Sequence, residues 1–328
     1  MDKVGRKEYL GITIDYNRES KLDKFSLDTL RDRYFWKEET HAQEALARAA
    51  VFAATYKNNT DFELAQRLYD YSSLHWFMFS TPILSNGGTS RGLPISCFLN
   101  YVPDSRVGLS AHYDENIWLA SAGGGIGGYW GDLRSNGVST SNGSKSTGCI
   151  PFMHVVDSQM LAFNQGVTRR GSYAAYLDVS HPEIEEFLNM RKESGGDINR
   201  KCLNLHNGVN ITNDFLKAIK NDEDWRLIDP KTNKPVKTIN ARSLWWQLIN
   251  ARAETGEPYL INIDTCNEHL PKSQKDLGLE IKQSNLCSEI TLATNEERTA
   301  VCCLSSVNLE KFDEWKDNKL FISDLITM

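Results

Sequence analysis

The sequence predicts an α/β fold with a mostly parallel sheet, because strand-like and helical segments alternate through the later part of the chain. Residues 172–179 are strand-like, and residues 180–183 (Ser-His-Pro-Glu) form a capping box with proline in the first helical turn. Residues 208–211 give a second short strand, which another helical segment follows. Residues 243–253 are amphipathic and stop at Gly256, a typical end for a helix.

The part before this alternation is predicted to be helical. Residues 44–50 are rich in strong helix formers, and residues 60–63 (Thr-Asp-Phe-Glu) form a capping box that opens a further helix. We therefore divide the chain into a polar, irregular lead-in (1–25), a helical region (26–90) and an α/β region (91–328).

Composition excludes several classes of protein. The 328 residues carry a net charge of -6 and no block of lysine or arginine, so we expect no nucleic-acid partner. No apolar run approaches the ~20 residues that a membrane helix needs, and the first residues do not form a signal peptide. The seven cysteines are scattered without zinc-site spacing, which favours reduced thiols in the cytoplasm and no bound metal.

The candidate reaction centre contains Asn285, Cys287 and Glu289, an amide, a thiol and a carboxylate at alternate positions. An extended backbone would send all three side chains to one face. Cys97 and Cys302 are two further thiols that could supply electrons. The spacing alone does not separate this interpretation from that of an ordinary buried cysteine.

Four separated blocks carry a family resemblance. Residues 285–290 (Asn-Leu-Cys-Ser-Glu-Ile) resemble the NLCxEI signature of ribonucleotide reductase large subunits, most closely those of class I. Three more blocks, in the family's order, are similar to residues 81–89 with 96–99, residues 121–127 and residues 302–309. The resemblance extends from about Leu27 to Trp315 and implies a helical N-terminal region followed by the first half of a ten-stranded α/β barrel.

The resemblance implies a role for each residue of the candidate reaction centre. Cys287 would carry a thiyl radical that abstracts the 3′-hydrogen of the ribose, Glu289 would accept the 3′-hydroxyl proton, and Asn285 would hold the ribose hydroxyls. Cys97 and Cys302 would be the reducing pair, with Cα atoms within about 7 Å of each other. The position ahead of the Leu-Ser pair favours Cys302 over its neighbour Cys303. The family gives Cys149, Cys202 and Cys266 no role, and we expect them to be structural.

Further residues match the family's substrate contacts. Thr81 and Ser96 would bind substrate phosphate or ribose, although both could be ordinary turn hydroxyls. Gly125 lies in a glycine-rich run that would let the backbone approach the nucleotide.

The resemblance also implies an allosteric site for a deoxynucleoside triphosphate or ATP near a dimer interface. Asp104 and Ser121 would contact this effector, and Arg134 would bind its phosphates. Residues 139–148 resemble the first specificity loop. Residues 166–172 resemble the second, where either Arg169 or Arg170 would reach the substrate.

The expected partners follow from the family. The substrate would be a ribonucleoside diphosphate, and thioredoxin or glutaredoxin would be the reductant. The chain itself would bind no cofactor, because the radical would come from a metal-containing small subunit, or from adenosylcobalamin in the alternative of a class II enzyme.

The second half of the barrel, the relay tyrosines and a C-terminal cysteine pair have no counterpart in these residues. We therefore expect activity to need a complementary C-terminal polypeptide. A non-catalytic nucleotide-binding module is the alternative of another class.

Overall fold

The computed structural model describes residues 5–163 and 170–327. They form two compact units. The first contains the chain through Ser96 and again from Cys302, and the second is Cys97–Val301. Among the described residues, no helix has both the length and the apolar character needed to cross a membrane.

The strands, in chain order, are β1 (Arg6–Tyr9), β2 (Ile12–Asp15), β3 (Thr55–Tyr56), β4 (Asn59–Thr60), β5 (Phe77–Phe79), β6 (Cys97–Tyr101), β7 (Gly125–Tyr129), β8 (Ser172–Asp178), β9 (His206–Ile211), β10 (Asp224–Asp229), β11 (Lys234–Asn240), β12 (Tyr259–Asn262), β13 (Ala300–Cys302) and β14 (Ser305–Val307). The helices are α1 (Lys24–Arg33), α2 (Ala42–Ala53), α3 (Phe62–Ser73), α4 (Thr81–Asn86), α5 (Arg106–Ser121), α6 (Ile150–Ala162), α7 (Ile184–Asn189), α8 (Asn213–Asn221), α9 (Ala241–Thr255), α10 (Ile263–Glu268), α11 (Lys272–Lys275), α12 (Phe312–Trp315) and α13 (Lys319–Thr327).

The first unit is built around the alanine-rich helix α2, whose small side chains let α3 pack closely. Leu46, Leu68 and Phe321 are among the buried residues of this core. The hairpin of β1 and β2 adds Ile12 and Ile14 to it, so residues 6–15 are regular although the lead-in is predicted to be irregular.

The second unit contains the predicted parallel sheet. Its parallel strands stand in the order β12-β9-β8-β7-β6, and helices lie between successive strands along the chain. Because neighbours in sequence are neighbours in the sheet, the order is that of an α/β barrel rather than of a sheet that reverses direction. Strands β7 and β8 are almost fully buried, as parallel strands covered on both faces should be.

Two helix starts differ from the prediction. α3 is capped by Asp61, one residue after the predicted cap, and the Asp61 carboxylate accepts the Leu64 N–H at 2.9 Å. α7 begins only at Ile184, so the predicted capping box at 180–183 is not formed. Glu183 instead accepts the backbone N–H of Cys149 at 2.9 Å, where α6 begins, so a tertiary contact has replaced the local one.

Candidate functional site

Asn285 is the buried centre of the candidate reaction site, with 0% of its surface exposed. Its Oδ1 accepts the backbone N–H groups of Glu289 and Ile290, both at 3.2 Å. Its Nδ2 donates to Sγ of Cys97 at 3.3 Å. Cys97 is itself buried at the start of β6, opposite Gly125 of β7. One side chain therefore closes the loop that carries Cys287 and ties it to a second candidate thiol.

The loop from Asn285 to Ile290 is a turn, not the extended segment on which the alternation argument depends. Ser288 has φ 63, and its N–H donates to the Asn285 carbonyl at 3.3 Å. Cys287 and Glu289 are exposed, whereas Asn285 is buried beneath them. The structure thus presents a thiol and a carboxylate to solvent from one turn, and the Asn285 amide stabilises that turn.

The segment before this turn packs directly on β7. A Cβ atom on Gly127 would overlap the carbonyl oxygen of Ser284 and lie 2.8 Å from Cα of Asn285. Glycine is therefore required here by close packing within the chain. Tyr176 of β8 donates from its hydroxyl to the Asn285 carbonyl at 2.5 Å, which fixes the same segment from the neighbouring strand.

Lys282 and Gln283 anchor this segment further, and sequence reasoning missed both. Gln283 is fully buried and donates to the carbonyl of Asn100 at 2.8 Å. The Lys282 ammonium lies 2.9 Å from the Asp132 carboxylate and 5.1 Å from the centre of the Tyr129 ring. Burial alone would lower the pKa of Lys282, but the hydrogen bond and charge of Asp132 outweigh it and leave that pKa above its ordinary value. Only the fold brings these residues together.

The other predicted reaction residues belong to the first unit. Ser96 is buried, and its hydroxyl has no hydrogen-bond partner among the described residues, while its backbone N–H donates to the Cys302 carbonyl at 3.4 Å. Thr81 begins α4, and its hydroxyl is 3.1 Å from that of Tyr34. Cys97 and Cys302 belong to different units, so their pairing stays a prediction.

Asp104 and Arg134 meet at a cavity of about 410 Å³ in the second unit. Nε of Arg134 donates to both carboxylate oxygens of Asp104, at 2.8 and 3.0 Å. These hydrogen bonds raise the pKa of Arg134 above its ordinary value. Arg106 and Lys145 also line the cavity, as do several hydroxyl side chains of residues 140–147. Three cations and one carboxylate leave an excess of positive charge beside many small donors, which suits a phosphate group.

The remaining predicted effector residues lie elsewhere. Ser121 ends α5, fifteen residues beyond Arg106, which is roughly 22 Å along the helix axis. Its hydroxyl donates back to the Ile117 carbonyl at 2.7 Å, and it does not line the cavity. Arg170 is exposed, and Arg169 falls outside the described residues.

Cys149, His181 and Glu183 are buried close enough together to hold a metal ion, but both ring nitrogens of His181 are already hydrogen-bonded. Nδ1 of His181 accepts the Glu183 N–H at 3.1 Å, and the other ring nitrogen lies 2.9 Å from the Leu133 carbonyl. Burial also raises the pKa of the Cys149 thiol well above its ordinary value, which disfavours the thiolate that a metal needs. The group is a buried hydrogen-bond network at the start of α6.

The fold and the site together match one family of enzymes. A model of the ribonucleotide reductase barrel domain matches residues 95–326, and a model of the family's all-alpha domain matches residues 20–92. The chain belongs to the ribonucleotide reductase family, and within it to the large subunits.

Individual relatives agree with this assignment. The ribonucleoside-diphosphate reductase large subunit of Invertebrate iridescent virus 3 is 43% identical over 96% of this chain and 57% of its own length. That of Invertebrate iridescent virus 6 is 44% identical over 84% of this chain and 28% of its own length. Among solved structures, the class Id ribonucleotide reductase alpha subunit of Actinobacillus ureae is 33% identical with a TM-score of 0.75, over 90% of this chain and 51% of that one. The chain thus spans about half or less of these relatives' length.

Proposed function

We propose that this chain supplies the radical cysteine and part of the substrate site of a class I-like reductase of ribonucleoside diphosphates. The observation that supports this most strongly is the turn that exposes Cys287 and Glu289 while Asn285 holds it against Cys97. The likeness to the class Id alpha subunit of Actinobacillus ureae favours class I over a cobalamin-dependent enzyme.

The reaction assigns a balanced step to each group. A thiyl radical on Cys287 takes the 3′-hydrogen of the ribose, and the Glu289 carboxylate takes the 3′-hydroxyl proton. The 2′-hydroxyl then leaves as water. Cys97 and Cys302 supply two electrons and two protons as they form a disulfide, and Cys287 returns the hydrogen to C3′. When bound, a metal-containing small subunit supplies the radical.

The substrate would be held by the groups that the family resemblance assigns. The buried hydroxyl of Ser96, which has no partner among the described residues, suits a ribose or phosphate oxygen, since a buried donor without a partner is costly. Thr81 would add a second hydroxyl, and Gly125 a close backbone approach. Asn285 would contribute the amide hydrogen that its contact with Cys97 leaves unused.

The cavity beside Asp104 and Arg134 is proposed as the effector site for a deoxynucleoside triphosphate or ATP. Arg134 would bind phosphate and Asp104 the sugar or base. Whether Arg169 or Arg170 reaches the substrate stays a prediction. This proposal is supported by the cavity's positive charge and its hydroxyl-rich loop at residues 139–148.

A dimer would bring Ser121 to the partner's effector cavity. Val107 and Trp118 on α5 are 81% and 71% exposed, and eleven residues apart they share one face of the helix. Leu161 on α6 is 61% exposed as well. If two copies paired α5 with α5 about a twofold axis perpendicular to the helix, the helices would run antiparallel, so that Ser121 of one copy approached the Arg106 end of the other. Exposed apolar side chains on adjacent helices support such an interface.

The remaining partners follow from the family. We propose that thioredoxin or glutaredoxin restores the cysteines, that the work is done in the cytoplasm, and that activity depends on the second barrel half found in the longer relatives. The division into residues 26–90 and 91–328 is supported by the two family models, which meet between residues 92 and 95.

The test is reduction of labelled CDP by this chain combined with the remaining barrel segment and small subunit of an iridescent-virus relative, plus dithiol. We expect turnover that Cys287→Ser abolishes and that Cys303→Ser, the matched control on an exposed thiol, leaves within twofold. Adenosylcobalamin in place of the small subunit should give none. Stable assembly without turnover under either condition would overturn the catalytic proposal and favour a nucleotide-binding module.

A further inference from the structure

The hairpin of β10 and β11 stands apart from the parallel sheet, inserted between α8 and α9. Its turn carries Asp229, whose side chain is fully buried and forms no ion pair within the described ranges 5–163 and 170–327. A buried carboxylate without a cation must be satisfied by hydrogen-bond donors, because its desolvation is costly. The identity of those donors shows what the residue holds in place.

Four donors surround Asp229, and they fall into two pairs. The backbone N–H and the hydroxyl of Thr232 reach Oδ1 at 2.7 and 2.9 Å, which closes the hairpin's own turn. The backbone N–H and the hydroxyl of Ser135 reach Oδ2, both at 2.8 Å. The first pair is local, whereas the second joins segments 94 residues apart in the chain.

The second pair leads to the cavity. Ser135 follows Arg134 directly in the chain. Because Asp229 holds the backbone N–H of Ser135, the neighbouring backbone of Arg134, from which its side chain extends, is restricted as well. The guanidinium of Arg134 then reaches Asp104 in the cavity wall. From the same hairpin turn, the ammonium of Lys231 lies 3.8 Å from Oδ2 of Asp104. The hairpin thus contacts Asp104 directly and the residue that follows Arg134.

We propose that the β10–β11 hairpin supports the wall of the effector cavity, and that Asp229 is the positioning residue that orients Arg134 toward a bound deoxynucleoside triphosphate. This inference rests on the proposed effector site. A local turn needs only the Thr232 half of the network, which a surface Asp could make at little cost. The full burial of Asp229 against Ser135 is explained by its role in orienting Arg134.

Asp229→Asn tests this alignment with a side chain of the same shape. An amide accepts through one atom only, so one of the two donor pairs must face an NH₂ group. The matched control is Thr232→Val, which removes a hydroxyl from the turn and leaves the Ser135 contacts intact. Both variants perturb the hairpin, but only Asp229→Asn changes a side chain that contacts Ser135.

The measurement is equilibrium binding of dTTP and dATP to the full 328-residue chain, with thermal unfolding followed in parallel. We expect Asp229→Asn to weaken binding about tenfold and Thr232→Val less than twofold, at comparable losses of melting temperature. If Asp229→Asn does not fold, Ser135→Ala, which removes a single hydroxyl donor, should weaken binding about threefold.

Two outcomes would overturn the inference. Binding by Asp229→Asn and Ser135→Ala within twofold of the unsubstituted chain would remove the positioning role while leaving the effector site standing. Absence of binding by the unsubstituted chain would reject the effector site itself, and the inference with it.

Discussion

Replacing Asn285 with alanine should open the loop that carries the candidate radical cysteine. The change removes two hydrogen bonds to the backbone N–H groups of Glu289 and Ile290 and the contact with the Cys97 thiol. Each backbone bond contributes about 1 kcal/mol net, and the lost packing of a side chain with 0% exposure adds about 1 kcal/mol more. We expect the free energy of unfolding to fall by about 3 kcal/mol.

Urea unfolding followed by tryptophan fluorescence measures this loss, and the rate of Cys97 modification by a thiol reagent reports opening of the loop. Asn295→Ala is the matched control, because Asn295 also accepts a backbone N–H, that of Glu297 at 3.0 Å, but in an exposed turn. Its cost should stay below about 1 kcal/mol. A loss below about 0.5 kcal/mol for Asn285→Ala, with Cys97 still protected, would refute the reasoning.

Two further predictions concern the sheet beneath this loop. Gly127→Ala should lower the free energy of unfolding by about 3 kcal/mol, because the new methyl group meets the Ser284 backbone. The control Gly137→Ala lies in open space and should cost only its left-handed backbone strain. Urea unfolding compares the two variants, and equal losses would contradict the packing argument. His112 is buried against the Tyr173 hydroxyl, and burial lowers its pKa to about 3. The unfolded chain takes up this proton near pH 6.5. The free energy of unfolding should therefore have its full value above that pH and be about 2 kcal/mol lower at pH 5. Unfolding measured at both pH values should lose this component in His112→Gln; an unchanged pH profile would contradict it.

The sequence predicts two strands of the parallel sheet, because each of them carries its own strand pattern. The segments predicted at 172–179 and 208–211 correspond to β8 and β9, and Gly256 ends α9 in the left-handed conformation. Such signals depend on near neighbours only. The β1–β2 hairpin was within reach by the same reasoning, because Ile12 and Ile14 alternate with polar residues directly after Gly11.

Signals that depend on tertiary partners were not predictable in this way. Glu183 has the sequence context of a capping residue for its own helix, yet it satisfies the start of α6, 34 residues earlier. Lys282 and Gln283 carry no motif, and their importance comes from Asp132 and Asn100, which only the folded sheet brings near. Where a side chain could accept from either a local or a distant donor, the tertiary fold decides which hydrogen bond forms.

Asn285 shows why a correct motif can still mislead about geometry. The alternation of Asn285, Cys287 and Glu289 indicates a shared face only if the backbone is extended, and the left-handed conformation at Ser288 removes that condition. The amide then turns inward and closes the loop, while the thiol and the carboxylate point outward. The motif therefore encodes the shape of the turn as well as its chemistry. An asparagine at this position can accept two backbone N–H groups through one oxygen and still donate to Cys97, which neither aspartate nor leucine could do.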